Sequence, residues 1–414
     1  MNSNLLQVFQ EKIHSFFKSK RINHELISDA ALDTVKMLKK NNYDAFIVGG
    51  AIRDILMGFK PKDFDIATNA TPEQVRTIFK KSRIIGRRFR LVHVIYGREI
   101  IEVSTFRARP LKKIQMSNGV LKDNEYGTIN EDAERRDFTI NALYYDIENK
   151  NIIDFYGGLR DIQNNQLRLI GEPKLRYKED PIRILRAIRF SSKLKMEIHN
   201  KTLNEIRNSI GLLKSVPYSR LFDEVMKFFL TGHSQESMVL FKKYNLSSTY
   251  FPSLENNNKI FNDFLLQALI NTDLRVKNGK SINPGFLLAV FLWDDVNELC
   301  KKYKKKFPHP SLALNKAIDE VLQKQARIFP VQKRFSITMS EIWRLQIRFN
   351  SSSSKKIYRL LNHPRFRASY DFLLLRCEAL EISRSEGLWW TKFIESSKKT
   401  QDLLIANKKN WNNE

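Results

Sequence analysis

One stretch constrains this chain more than any other: Phe46-Ile47-Val48-Gly49-Gly50-Ala51-Ile52-Arg53-Asp54, followed nine residues later by Asp63-Phe64-Asp65. Phe46 to Val48 is a short apolar run and reads as a buried strand. The Gly49-Gly50 pair allows a sharp turn and a close backbone approach to a phosphate. Ala51 to Met57 then reads as a short helix that Gly58 stops. Lys62 to Thr68 alternates, so Asp63 and Asp65 share one strand face while Phe64 and Ile66 take the other. Two carboxylates that close repel each other unless a cation lies between them. Divalent metals that handle triphosphates use oxygen ligands of this kind, with one or two carboxylates. The plainer reading, two surface aspartates on an edge strand, loses ground once the pair follows strand, Gly-Gly turn and helix.

The bulk properties limit the alternatives. A chain of 414 residues has room for two or three domains and a substantial core. Its formal net charge of +26 favours a polyanionic partner, nucleic acid before an anionic membrane. Cys300 and Cys377 are the two cysteines, which is no disulfide framework and fits a reducing cytoplasm. Met1 to Lys20 lacks an apolar core of signal-peptide length, and the apolar run Gly285 to Trp293 is too short to span a bilayer. A soluble, intracellular protein is expected.

Along the chain, residues 1–24 form a polar, basic arm. A head follows over 25–170. It holds a helix over Ile27 to Lys40 capped by Ser28, a helix over Pro72 to Lys80 capped by Thr71, and strands over Arg88 to Tyr96 and Glu99 to Phe106 joined at Gly97-Arg98. Residues 107–130 read as a mobile loop, and Ile152 to Tyr156 and Leu167 to Leu169 as short strands. From Pro173 onward helical periodicity takes over, giving a neck over 171–232 and a body over 233–414. The fold class is α+β, with a mixed head and a helical remainder.

Further constellations carry chemistry. Glu102, between Ile101 and Val103, is either a third metal-binding carboxylate from an adjacent strand or a glutamate facing water. The residues alone weigh both equally. Arg135-Arg136-Asp137 with Asn141 combines phosphate-matching guanidiniums with an acid and an amide; one helical turn would set Asp137 and Asn141 on one face. Its bland alternative is a helix start whose acid favours the dipole. Arg83, Arg87, Arg88 and Arg90 surround Gly86 and suit phosphate or RNA contact, where a solvated face is the usual explanation. Asp180 caps a helix with Pro181 at its first position, and Arg183, Arg186 and Arg189 follow at steps of three. An acid and a guanidinium one turn apart can also read a base edge. No histidine has metal-ligand spacing, and His93 reads as structural.

These motifs, in this order and spacing, resemble the class II nucleotidyltransferases, the family of the bacterial poly(A) polymerases and the CCA-adding tRNA enzymes. The resemblance implies a head of the DNA polymerase β nucleotidyltransferase type, then helical neck and body. Ile85 to Val94 with its arginine cluster, Ile342 to Phe349, and His363 to Leu375 look like the poly(A) branch. The family often ends in a long basic tail, whereas this chain stops at Glu414.

The resemblance implies template-free addition of AMP from ATP to RNA 3′ ends with release of pyrophosphate. It implies two Mg²⁺ ions on Asp63 and Asp65, with Glu102 as a further candidate ligand and Asp137 in the catalytic set. Gly49, Gly50, Arg53, Asp54, Arg136, Asn141, Asp180, Arg183, Arg186 and Arg189 would bind the nucleotide. Arg87, Arg88 and Arg90 would bind single-stranded RNA with little sequence preference, and RNA-decay machinery is the implied protein partner. A CCA-adding enzyme is the nearer alternative. A non-catalytic RNA-binding protein is the more distant one, opposed by the intact Asp63 and Asp65.

Overall fold

A computed structural model of the chain describes residues 22–86, 90–108, 116–117, 120–121 and 126–408. Helix α1 (Asp29–Lys40) starts where Ser28 Oγ accepts from Ala31 N at 3.2 Å, and it sets Ala31, Val35 and Leu38 into the core. Strand β1 (Ala45–Val48) passes through Gly49 into α2 (Gly50–Leu56). Strand β2 (Asp65–Thr68) and α3 (Pro72–Ile78) follow, the latter opened by a reciprocal Thr71–Gln74 capping box. Strands β3 (Ser82–Ile85), β4 (Leu91–Tyr96) and β5 (Glu99–Thr105) come next, and Tyr96 pairs with Glu99 across the Gly97-Arg98 turn. A two-residue pair, β6 (Met116–Ser117) and β7 (Val120–Leu121), precedes α4 (Ile129–Arg135). A single 3-10 turn over Thr139–Asn141 leads into β8 (Leu143–Asp146) and β9 (Asn151–Asp154).

The main sheet runs β3-β4-β5-β2-β1-β8-β9. The β2–β5 pair is parallel and its other pairings are antiparallel. Register places His93, Glu102, Asp65, Val48 and Tyr144 in one row across five strands, so their side chains stand on one face. Ile47, Ile66, Val92, Val94, Ile101 and Val103 point the other way and form the main core with α1 and α3. A smaller cluster of Val48, Ala67, Phe106, Ala133 and Tyr144 covers part of the first face and leaves the rest for polar groups.

Helix α5 (Gly158–Gln163) and strand β10 (Gln166–Leu167) close this part. Helices α6 (Pro173–Glu179) and α7 (Ile182–Leu194) follow, and β11 (Glu197–Ile198) pairs in parallel with β10. Contact density divides the chain into Met1–Val216 and Pro217–Glu414.

Among its described residues the regular elements of the second unit are all helices. Its apolar run, read from sequence as too short for a membrane, is the buried helix Pro284–Phe291. Trp343 donates its indole N–H to Ala289 O at 3.1 Å. Trp390 and the buried Lys408 both donate to Phe349 O, at 3.2 and 2.6 Å. These bonds satisfy groups that would otherwise be costly to bury. Among the described residues no helix is long and apolar enough to cross a membrane.

Several local expectations change: the strand expected from Arg88 begins at Leu91, the loop expected over 107–130 holds the β6–β7 pair and the start of α4, and the strand expected over Leu167 to Leu169 is Gln166–Leu167. Two further changes bear on the site. The strand expected over Lys62 to Thr68 is β2 from Asp65 onward; Asp63 precedes it, although the alternation of exposed aspartates with buried Phe64 and Ile66 persists. Past Arg135, the stretch to Leu143 holds no α-helical turn, only the 3-10 turn over Thr139–Asn141. Helix α4 ends because Arg136 adopts ψ 166°, Phe138 is fully buried, and Leu143 already belongs to β8.

Candidate active site

The site grows from the β1–α2 turn. Gly49 has φ 72° and ψ −128°, a conformation that L side chains rarely adopt, and a Cβ there would lie 3.2 Å from Arg136 Nη1. Gly50 has ordinary φ, and a Cβ on it would meet nothing closer than Arg53 Nη2 at 3.5 Å. Sterics inside the chain thus explain the first glycine and leave room above the second.

Asp65 opens β2 beside this turn. Val48 flanks it on β1 and Glu102 on β5. Its carboxylate is reached by solvent yet crowded by protein on most sides. That enclosure, with Glu102 and then Asp63 repelling its charge and Arg136 opposing them, pushes its pKa up to about 6. A divalent cation would relieve the repulsion, so the donor set fits one. Among the described residues, however, no three His, Cys, Asp or Glu side chains gather closely enough to hold a metal alone. Glu102 instead lies 3.3 Å from His93 Nε2, its register partner on β4. A cation here would meet two protein carboxylates, Asp63 and Asp65, and triphosphate oxygens and water would have to complete its shell, as Mg²⁺ commonly requires.

The remaining predicted residues form a braced frame. Arg53 is buried and donates from Nε and Nη2 to Asp54 Oδ1 at 2.8 and 2.6 Å, and from Nη1 to Asn141 Oδ1 at 2.6 Å. Asn141 Nδ2 donates to Asp137 Oδ1 at 3.1 Å, and Phe138 N donates to the same oxygen at 2.8 Å. Arg186 Nε donates to Asp137 Oδ2 at 2.6 Å. Burial alone would raise the Asp137 pKa, but Arg186, Asn141 and Phe138 N outweigh it and hold the carboxyl below its ordinary range. Arg53, Arg186 and Arg189 all lie over the Phe190 ring, 5.3, 5.2 and 4.5 Å from its centroid.

Sequence reading missed Asp132, the hub of the adjoining corner. It is fully buried and accepts from Arg135 Nε at 2.8 Å, Arg136 Nη2 at 3.1 Å and Tyr144 Oη at 2.6 Å. Despite burial these partners hold its pKa down to about 2. Its spacing of three and four from Arg135 and Arg136, at the end of α4, was a usable signal; the Tyr144 contact was not.

Arg183 also has a bracing task. Its Nη1 donates to Arg176 O at 2.9 Å and Glu179 Oε2 at 3.1 Å, and its Nη2 to Arg135 O at 3.2 Å. Arg176 Nη2 reaches the Arg135 and Arg136 carbonyls at 2.7 and 2.5 Å. Two guanidiniums therefore satisfy carbonyls at the negative end of α4. Asp180 differs from its expected place: it is the C-cap residue of α6, and α7 starts at Ile182 with Pro181 as its N-cap residue, although Asp180 Oδ1 still accepts from Ile182 N at 3.3 Å. Arg90 pairs with Glu73 at 2.5 Å. Arg87 and Arg88 lie outside the described residues.

Solved structures share this architecture. A tRNA-processing enzyme in an apo form aligns over 90% of this chain and 98% of its own at TM-score 0.62 and 22% identity. A tRNA nucleotidyltransferase complexed with a primer tRNA and an incoming ATP analog aligns over 87% and 98% at TM-score 0.59 and 23% identity. The fold is thus that of the nucleotidyltransferases, an α+β head followed by helices. Family models match the poly A polymerase head domain at 45–168, the "Probable RNA and SrmB- binding site of polymerase A" at 195–257, and the polymerase A arginine-rich C-terminus at 306–414. Poly(A) polymerase I of Escherichia coli O157:H7 is 40% identical over 402 residues, 93% of this chain and 86% of that protein. The Haemophilus influenzae protein of the same name is 40% identical over 91% and 86%. A CCA-adding enzyme of Lactobacillus helveticus is 35% identical over 52% of this chain and 54% of its own. The chain belongs to the bacterial poly(A) polymerase family, the polynucleotide adenylyltransferases.

Proposed function

We infer that the chain adds AMP from ATP to RNA 3′ ends without a template and releases pyrophosphate. The observation that carries this reading is the reach of the similarity: identity to the poly(A) polymerases runs through 93% of the chain, whereas the CCA-adding relative matches 52%. The solved neighbours, at 22–23% identity, bear on fold alone.

In the reaction the RNA 3′ oxygen bonds to the α-phosphorus of ATP as the bond to pyrophosphate breaks. Mg²⁺ held by Asp63 and Asp65 would supply charge neutralisation on the triphosphate and a more acidic 3′-hydroxyl. The Gly49-Gly50 turn lets phosphate oxygens approach backbone N–H groups. Asp54, Arg53, Asn141, Asp137 and Arg186 form a chain of charge-assisted bonds that fixes this turn against α7. Arg136, anchored on Asp132 and Tyr144, stands beside Gly49 and would bind the nucleotide from there. Recognition of adenine by Asp180 and Arg183 requires Arg183 to exchange its present carbonyl bonds for the base edge when ATP enters. Arg87, Arg88 and Arg90 remain the proposed RNA contacts, with single-stranded RNA the partner and the net charge of +26 supporting a largely phosphate-driven grip. Contact with RNA-decay machinery remains part of the proposal by family resemblance. Both cysteines are unpaired and buried, which supports a cytoplasmic setting.

The test is pyrophosphate release from ATP in the presence of RNA and Mg²⁺, comparing the natural chain with Asp65→Asn. Loss of a metal ligand should reduce the rate by roughly a thousandfold or more while leaving the circular dichroism unchanged. A folded variant with near-normal release would remove Asp65 from the mechanism.

A further inference from the structure

An open cavity of about 510 Å³ lies at one edge of the main sheet, between the end of α3 and the end of β4. Ile78 and Phe79 line it from the helix side and Ile95 and Tyr96 from the strand, and Lys80 and Lys81 join them. Ile95 N donates to Lys81 O at 2.9 Å, which fixes the lysine pair against β4. Both lysines are exposed, and among the described residues no hydrogen bond or ion pair holds either ammonium. Exposed lysines usually do no more than keep a face in water. These two border an apolar, aromatic hollow, and no acidic side chain is among its described lining residues.

The cavity is separate from the candidate active site. Tyr96 stands three residues beyond His93 on β4 and so points to the opposite face of the sheet, where its Oη meets Thr34 Oγ1 of α1 at 3.1 Å. Three residues along β4 and two strand spacings from β4 to β2 put it roughly 14 Å from Asp65. Its size and its mostly apolar walls with few polar groups are those of a small-ligand site. Aromatic walls suit a planar ring, and paired ammoniums suit a phosphate. Helix α3 ends here, so its last carbonyls lack intrahelical partners and can accept from the amino group of a base. We propose that this cavity binds a nucleoside monophosphate unit, with its base against Phe79 and Tyr96 and its phosphate on Lys80 and Lys81. Such a unit comes from a free nucleotide or from an RNA strand.

Photo-crosslinking reads the site directly. The probes are 8-azidoadenosine monophosphate and, separately, an oligoadenylate carrying one 8-azidoadenosine, with the labelled peptides mapped. In the natural chain the label should fall on residues 78–81 or 94–97. In a chain with Lys80→Ser and Lys81→Ser it should drop there by about tenfold, the scale of one lost charged hydrogen bond, while label near the candidate active site persists. Both lysines are exposed, so this double variant should fold, and circular dichroism checks it. Label from the monophosphate assigns a free nucleotide, and label from the oligoadenylate alone assigns RNA. In the RNA case the slope of log affinity against log salt should also shrink by about 1.4 in the double variant, for two phosphates at about 0.7 each. Label confined to the candidate active site with both probes overturns the proposal, as does unchanged label on 78–81 and 94–97 in the double variant.

Discussion

Asp137 and Arg186, 49 residues apart, meet at 2.6 Å and join the turn after α4 to helix α7. Asp137 also accepts from Asn141 and from Phe138 N, two bonds that an asparagine oxygen could keep. Asp137→Asn therefore isolates the ion pair. Breaking a buried pair leaves one charge uncompensated, and with Arg186 partly exposed the loss should be about 2 kcal/mol. Urea denaturation should show a lower midpoint with an unchanged slope. An unchanged midpoint would mean that the pair contributes nothing to holding α7.

Asp132 should impose an acid limit on stability. Its folded pKa of about 2 lies below the unfolded value of about 3.9, so its contribution is fully present above the unfolded value and is lost as pH falls through the folded one. The magnitude is on the order of 2 kcal/mol. Comparing unfolding free energies of the natural chain and Asp132→Asn, the gap should be constant near neutrality and narrow between about pH 4 and pH 2. Parallel curves over that range would contradict the assignment.

The two glycines of the turn should respond in opposite ways. Gly49→Ala places a Cβ at φ 72° and 3.2 Å from Arg136, and should lower stability by about 1–3 kcal/mol. Gly50→Ala sits in the first turn of α2 with ordinary φ and meets nothing closer than 3.5 Å, so stability should hold or rise by about 0.5 kcal/mol. If phosphate oxygens approach the backbone there, Gly50→Ala will still raise KM for ATP. Thermal melts with steady-state kinetics check both halves, and an active, unperturbed Gly50→Ala chain would exclude that approach.

What could be read from the sequence was local. The strand, the Gly-Gly turn and the alternation of Asp63, Phe64, Asp65 and Ile66 depend on neighbours within a few residues, and the structure reproduces that alternation. The caps at Ser28 and Thr71 are local too, and both form. What escaped depends on contacts that no spacing encodes. Arg53 turns onto Asp54 and, across 88 residues, onto Asn141. Arg183 finds the carbonyl of Arg135, a partner with no side-chain identity to read. Tyr144 reaches Asp132 because β8 pairs with β1, a register that pattern alone leaves open.

The most direct measurement is extension of an unstructured RNA by the natural chain with Mg²⁺, supplied with ATP alone or CTP alone. A pocket matched to adenine leaves buried groups unpaired when cytosine enters, at about 1–3 kcal/mol for each unmet group, so the two substrates should separate clearly. Long adenosine tails from ATP and little product from CTP are the predicted result. Addition that stops after one adenosine, or that needs two cytidines first on a tRNA lacking its end, would contradict it and return the chain to the CCA-adding branch.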